Sequence, residues 1–204
     1  MTTLQIEQTY WRTGKHLIAG MDEVGRGPLA GPVLACAIIF NKNYFLPGVR
    51  DSKKLSPRQR AEFAAVLKQN ALCWGIGLAG VEEIDQFNIR KATFLAMHRA
   101  VSDLTLKPDL VLVDGENLPE SSCASLGIIG GDDKSFTIAA ASIVAKVERD
   151  QMMQDLDQQY PIYRFARNKG YGTREHIQIL RSNGPCIQHR RTFLKKILSL
   201  VPRI

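Results

Sequence analysis

The sequence predicts an α/β fold, an open sheet covered by helices, on three observations. Short apolar segments recur at 17–23, 32–40, 71–79, 109–113 and 126–129. Segments with helical spacing of apolar residues lie among them, most clearly at 57–67, 82–104 and 136–156. Glycines, prolines and capping residues sit at most of the junctions.

Residues 4–12 suit a short lead-in helix, and 17–23 and 32–40 suit two strands joined by a glycine-rich loop. After an irregular stretch that ends in Asp51-Ser52-Lys53-Lys54-Leu55, Ser56 caps a helix with Pro57 at its first position and Phe63, Val66 and Leu67 on its apolar face. Ala71–Ala79 reads as a third strand, and 82–104 as one long amphipathic helix carrying Ile84, Phe87, Leu95, Met97 and Val101. His98 on that helix has no ligand partner at helical spacing and reads as structural. Pro108 introduces the strand 109–114, which ends on Asp114, and Leu126–Ile129 is a short strand that runs into Gly130-Gly131-Asp132-Asp133. The helix that follows, 136–156, is rich in small residues suited to close packing on a sheet. Beyond Pro161 a polar aromatic loop leads to a helix over 173–182, stopped by Asn183-Gly184-Pro185, and a last basic helix starts at Arg190-Arg191.

This order implies a catalytic domain over 1–160 and a basic helical region over 161–204 packed on it. The 204 residues, 45% apolar and 23% charged, suffice for a sizeable core. No apolar run reaches membrane-spanning length and no export signal opens the chain, so a cytoplasmic protein with no membrane partner is expected. Cys36, Cys73, Cys123 and Cys186 are far apart, without a Cys-x-x-Cys, which excludes a zinc knuckle and predicts buried thiols. The net charge of +7 is uneven: residues 161–204 carry ten Lys/Arg against Glu175 alone, while 1–160 carry 17 basic and 19 acidic side chains. A basic tail on a near-neutral body points to a polyanion partner.

The chemistry-bearing stretch is Asp22-Glu23-Val24-Gly25-Arg26-Gly27-Pro28-Leu29-Ala30-Gly31-Pro32. A carboxylate pair between two buried strands is expensive unless a cation compensates it. The glycines remove side chains where another molecule's backbone must come close. Their spacing is not GxGxxG and a strand follows them, which excludes a dinucleotide fingerprint. At the carboxyl ends of strands in an open sheet, Asp114 belongs in the same crevice as Asp22 and Glu23. Helix capping accounts for one of Asp132 and Asp133, but not for both behind a Gly-Gly. Four acids from separate parts of the chain suit oxygen ligation of Mg²⁺ or Mn²⁺, and two such ions roughly 3.5–4 Å apart serve phosphodiester hydrolysis. No P-loop is present, which excludes that kind of phosphotransferase. The remaining rival is an RNA-binding module, indifferent to Mg²⁺ and to loss of the acids.

These residues resemble the bacterial ribonuclease HII family, the type 2 ribonucleases H. The resemblance rests on DEVGRGPLAGPV (22–33), DSKKLS (51–56), IDQFNIRKAT (84–93), VDG (113–115), GDDKSFTIAAASIVAKVERD (131–150), KGYGTREH (169–176) and HRRTF (189–193), nearly the whole chain in order. It implies a ribonuclease H-like mixed sheet flanked by helices, with a small C-terminal helical extension. It also implies an endonuclease acting on RNA/DNA hybrids and on single ribonucleotides embedded in duplex DNA, as a monomer with Mg²⁺ or Mn²⁺. By the family pattern Asp22, Glu23, Asp114 and Asp132 are the metal-site carboxylates, with Asp133 one register away. Gly25, Arg26 and Gly27 fall on the loop that senses the ribose 2′-hydroxyl, and Tyr171 on the tyrosine that stacks at the following deoxyribose. Lys53, Lys54, Asn88, Ser142 and Lys146 fall on positions expected to touch the nucleic-acid backbone. Adjacent residues on a regular strand face opposite ways. Glu23 must therefore reach around, hold a water, or offer its main-chain carbonyl.

Overall fold

The structure, a computed structural model, describes residues 2–198. Five strands, β1 (Ile18–Val24), β2 (Val33–Ile39), β3 (Cys73–Ala79), β4 (Leu110–Asp114) and β5 (Ser125–Ile128), form one mixed sheet in the order β3-β2-β1-β4-β5. β1, β2 and β3 are antiparallel neighbours, whereas β4 runs parallel to β1 and β5 parallel to β4. β1 and β2 are buried almost throughout, which explains why they read as continuous apolar runs.

Helices cover both faces. α1 (Gln5–Trp11) leads in, and α2 (Pro57–Asn70) begins at a capping box between Ser56 and Gln59. The expected helix over 82–104 is two helices, α3 (Val81–Phe87) and α4 (Ile89–Ser102). Asn88 breaks it: its φ of 70° lies outside the helical region, and its side chain restarts the chain by accepting from the Arg90 and Lys91 amides. α4 packs on one face against Ala19, Met21, Val111 and Val113. On that helix His98 is half-buried, and Phe87 at the end of α3 is exposed.

α5 (Phe136–Gln159) covers the other face. Its approach depends on Gly20 in β1, where a Cβ would fall 2.1 Å from the Thr137 carbonyl carbon. Ser135 caps α5, and the buried Glu7 of α1 accepts from the Ser135 and Thr137 hydroxyls and the Thr137 amide. Neither Asp132 nor Asp133 caps the helix, because both lie in the 3₁₀ turn before it.

The loop expected over 161–173 contains a 3₁₀ turn (Pro161–Tyr163) and the short helix α6 (Phe165–Asn168). α7 (Arg174–Asn183), capped by Thr173, and α8 (Arg191–Leu198) follow. Leu180 and Leu194 pack with Tyr163, Phe165 and Met153 against Leu29 and Ala30 of the glycine loop. The four cysteines are free; Cys36 and Cys73 are buried as expected, but Cys123 and Cys186 only half so. Among the described residues no helix is long and apolar enough to cross a membrane.

Candidate active site: a carboxylate cluster beside a pinned glycine loop

Strand register places the first two acids. Met21 is paired with Val113, so one residue further on Asp22 and Asp114 emerge side by side on the α5 face. Asp132 arrives from the turn ahead of α5, and the Gly131 amide donates to Asp114 Oδ1 at 2.7 Å, tying that turn to the end of β4. One carboxylate oxygen from each of Asp22, Asp114 and Asp132 lies within 4.8 Å of the others. Asp133 points away, exposed, and pairs with Lys54 at 2.6 Å.

Burial pushes the Asp22 carboxyl well up, helped by the Glu23 and Asp114 charges, while the Ser142 hydroxyl works in the opposite direction. Asp132 is raised by burial and then by Asp114. Such a cluster resists carrying its full charge without a cation. Three hard oxygen donors with no thiol or imidazole among them fit Mg²⁺ or Mn²⁺.

Glu23 belongs to the opposite face. It lines a cavity of about 320 Å³ with Arg26, Arg90, Phe94, Asp114 and Glu116, and it accepts from Arg26 at 3.2 Å. Burial raises its carboxyl and Arg26 lowers it. Its side chain is outside the three-carboxylate group, as the pleat requires.

The basic and polar candidates are dispersed around the cluster. Lys53 is exposed with its Nζ 3.8 Å from Asp132; burial would lower its pKa, but Asp51 and Asp132 hold it above the usual lysine value. Lys54 is taken up by Asp133. Ser142 is buried, 2.9 Å from the Ser52 hydroxyl, a place that suits holding Asp22 more than meeting a substrate. Lys146 pairs with Asp150 at 2.6 Å on the edge of a groove it shares with Arg60 and Lys169. Asn88 is exposed, and its amide oxygen caps α4.

The glycine loop is fixed by two residues that sequence reasoning passed over. Arg149 of α5 and Arg190 before α8 are both fully buried. Arg190 donates to the carbonyls of Gly25 (2.6 Å), Arg26 (2.9 Å) and Gly31 (2.8 Å). Arg149 donates to those of Pro32 (3.0 Å), Ala30 (3.3 Å) and Lys169 (3.1 Å). Burial lowers both guanidinium pKa values, that of Arg190 to about 9. Gly25 has φ +94°, and a Cβ there would fall 2.2 Å from Arg149 Nε, so the loop excludes a side chain for two separate reasons. Gly27 and Arg26 are exposed, and the Tyr171 ring lies 3.8 Å from where a Gly27 Cβ would be. Arg190 was read as tail charge; its position directly after a histidine in a basic run carried no sign of burial.

A mixed β3-β2-β1-β4-β5 sheet flanked by helices is the fold of the ribonuclease H-like nucleases, as solved structures show. The ribonuclease H2 of Pyrococcus horikoshii OT3 superposes with a TM-score of 0.69 at 25% identity, covering 90% of this chain and 97% of that one. The ribonuclease HII in the PCNA complex from Archaeoglobus fulgidus gives 0.75 at 24% identity, covering 92% and 97%. Among sequences, ribonuclease HII of Alkaliphilus metalliredigens is 50% identical over 97% of this chain and the whole of its own length, and that of Caldicellulosiruptor bescii 46% identical over 96% and 95%. The family model Ribonuclease HII matches residues 19–196. The chain belongs to the ribonuclease HII family, endonucleases of RNA/DNA hybrids.

Proposed function

We propose that this protein cuts the RNA strand of RNA/DNA hybrids and also cuts on the 5′ side of a single ribonucleotide embedded in duplex DNA, leaving a 3′-hydroxyl upstream and a 5′-phosphate on the ribonucleotide. The observation that carries the reading is the convergence of Asp22, Asp114 and Asp132, with Asp22 three residues before the Gly25 whose carbonyl a buried arginine holds. The cluster would hold two divalent cations, Mg²⁺ or Mn²⁺. When bound, they would supply water activation and stabilisation of the departing oxygen.

The chain's own residues do the rest. Lys53, beside Asp132 and open to solvent, meets the phosphate near the scissile bond, while Lys146 grips the backbone further along. Glu23, on the far face with Arg26, acts through its main chain or a held water. The exposed backbone at Arg26–Gly27, held by Arg190 through the Gly25 and Arg26 carbonyls, comes within hydrogen-bonding distance of a 2′-hydroxyl, which a side chain at Gly27 would obstruct. Tyr171, against Gly27, offers its ring to the next sugar. A deoxyribose fits there and a 2′-hydroxyl disturbs the fit, so together the loop and the ring select an RNA-to-DNA junction.

The test is incubation with a duplex carrying one ribonucleotide, with and without Mg²⁺, and analysis of the ends. Mg²⁺-dependent cleavage 5′ of the ribonucleotide is expected. Binding without cleavage would return the protein to the RNA-binding rival.

A further inference from the structure

Behind Tyr171 lies a buried chain of hydrogen bonds that neither catalysis nor phosphate binding uses. His176 of α7 places Nδ1 2.9 Å from the Tyr171 carbonyl and Nε2 3.0 Å from His189 Nε2. His189 Nδ1 lies 3.1 Å from the Cys186 amide nitrogen and 3.2 Å from the Cys186 thiol. Both rings are buried, and Tyr163 and Phe165 enclose them, with Tyr163 edge-on to His189 at 4.7 Å.

The protons in this chain have one arrangement. A carbonyl only accepts, so His176 carries its proton on Nδ1 and leaves Nε2 as an acceptor. The Cys186 amide only donates, so His189 accepts at Nδ1 and carries its proton on Nε2. The two imidazoles then meet as donor and acceptor, and an extra proton on either would set two donors against each other. Burial keeps both rings below the usual histidine pKa, His189 at about 4, where the neighbouring His176 adds to the effect.

The chain joins two parts of the reading surface. The backbone of His189 pairs with Ala30, and Gln188 and Arg190 bond to Gly31 and Leu29, so the 186–190 segment is laced to the glycine loop. Tyr171 follows two residues of positive φ, Lys169 (52°) and Gly170 (82°), and its carbonyl accepts from the Thr173 amide at 2.8 Å as well as from His176. We propose that His176 and His189 are positioning residues for substrate discrimination, locking the Tyr171 peptide so that its ring stands against Gly27. This rests on the reading of Tyr171 as the junction sensor.

Two substitutions at His176 separate positioning from stability. Asn carries its amide nitrogen where Nδ1 was, keeping the donor to Tyr171 and losing the link to His189; Gln reaches the Nε2 position, keeping the link and losing the donor. The readout is the ratio of initial rates on a single embedded ribonucleotide and on a continuous hybrid, with melting temperature measured alongside. His176→Asn is expected to melt lower yet hold the ratio within about twofold of the unmodified protein, whereas His176→Gln melts closer to it and loses about tenfold in the ratio. A ratio unchanged in His176→Gln, or ratios that follow melting temperature in both variants, overturns the proposal. Tyr171→Ala is run in parallel. If it lowers the ratio and His176→Gln does not, the relay alone falls; if it leaves the ratio unchanged, the reading of Tyr171 falls and the relay's purpose with it. Nitrogen-15 spectra of labelled histidines near pH 7 check the network independently, expecting His176 protonated at Nδ1 and His189 at Nε2. The reverse tautomers, or an imidazolium, refute it.

Discussion

The carboxylate cluster and the glycine loop are adjacent along the chain and are built in opposite ways. In the first, side chains are the groups proposed to work, and the regular register of β1 with β4 brings Asp22 beside Asp114. In the second the group proposed to work is the backbone, which has no register to rely on, and Arg149 and Arg190 supply the missing order by gripping its carbonyls. The cluster concentrates negative charge that an outside cation must offset. The loop absorbs two buried positive charges through neutral acceptors contributed by the protein itself. On the proposed function, chemistry is left incomplete until metal arrives, while the recognition surface is finished on folding.

The sharpest way to break this contrast is to neutralise one acid. Asp22→Asn should bring cleavage below roughly a thousandth of the unmodified rate while leaving hybrid binding intact. Because burial and two neighbouring charges already oppose ionisation of Asp22, the metal-free variant should melt higher, by calorimetry without divalent ions. Retained Mg²⁺-dependent cleavage would remove Asp22 from the site, and a lower melting point would mean that the cluster is not strained.

Arg190→Lys tests the other half. Lysine keeps the charge but not the fork that reaches Gly25, Arg26 and Gly31 together. A loss of about 3 kcal/mol is expected, or roughly 6–12 °C in melting temperature. Cleavage of hybrid and of single ribonucleotide should fall together. The same geometry revises the reading of the basic tail: truncation from Arg190 would remove the loop's anchor along with the tail's charge, so a salt series on exposed Arg174, Arg181 or Lys195 is the cleaner test of the expected phosphate contacts.

A smaller effect concerns pH. His189 sits at about 4 in the folded protein against an ordinary 6.5, so between these values the unfolded chain binds the extra proton. Its contribution is therefore complete above pH 6.5 and is lost as pH falls toward 4, by at most about 3 kcal/mol. Asp22, raised, works in the reverse direction. The quantity to measure is therefore the difference in melting temperature between the unmodified protein and His189→Gln across pH 4–7, which should narrow as pH falls. A constant difference would dissociate the histidine pair from acid sensitivity. Cys186, Tyr163, Phe165 and His176 surround the group.

The smallest effect is the most discriminating about register. Asp133→Asn, which loses only a surface pair with Lys54, should leave rate within about twofold and melting temperature unmoved. Asp132→Asn should behave like Asp22→Asn. Equal losses from both would mean that Asp133 shares the cluster's work.

Much of this molecule was legible in its residues because the deciding forces are local or periodic. Continuous apolar runs gave β1 and β2 nearly to their ends, Ser56-Pro57 gave the start of α2, and Thr173 with Gly184 framed α7. Asp22, Asp114 and Asp132 were recognisable because charge beside buried strands and glycines is costly, and the family pattern agreed. The helix at 82–104 was misread as continuous because helical spacing persists across Asn88; its φ of 70° leaves no trace in apolar periodicity.

What the sequence alone determined is the five strands and most of the helices, where the acids lie, and that the loop needs glycine at particular positions. The family resemblance preferred Asp132 to Asp133, and the tertiary structure gives the reason, since the two differ by a turn's direction and not in residue type. Only the tertiary structure decided that Ser142 is interior, and that Arg149, Arg190, His176 and His189 are buried supports. In a one-dimensional pattern an arginine in a basic run looks like solvated charge. Its burial depends on carbonyls more than a hundred positions away, and those acceptors exist as a set only once the sheet, the loop and the C-terminal helices have closed around them.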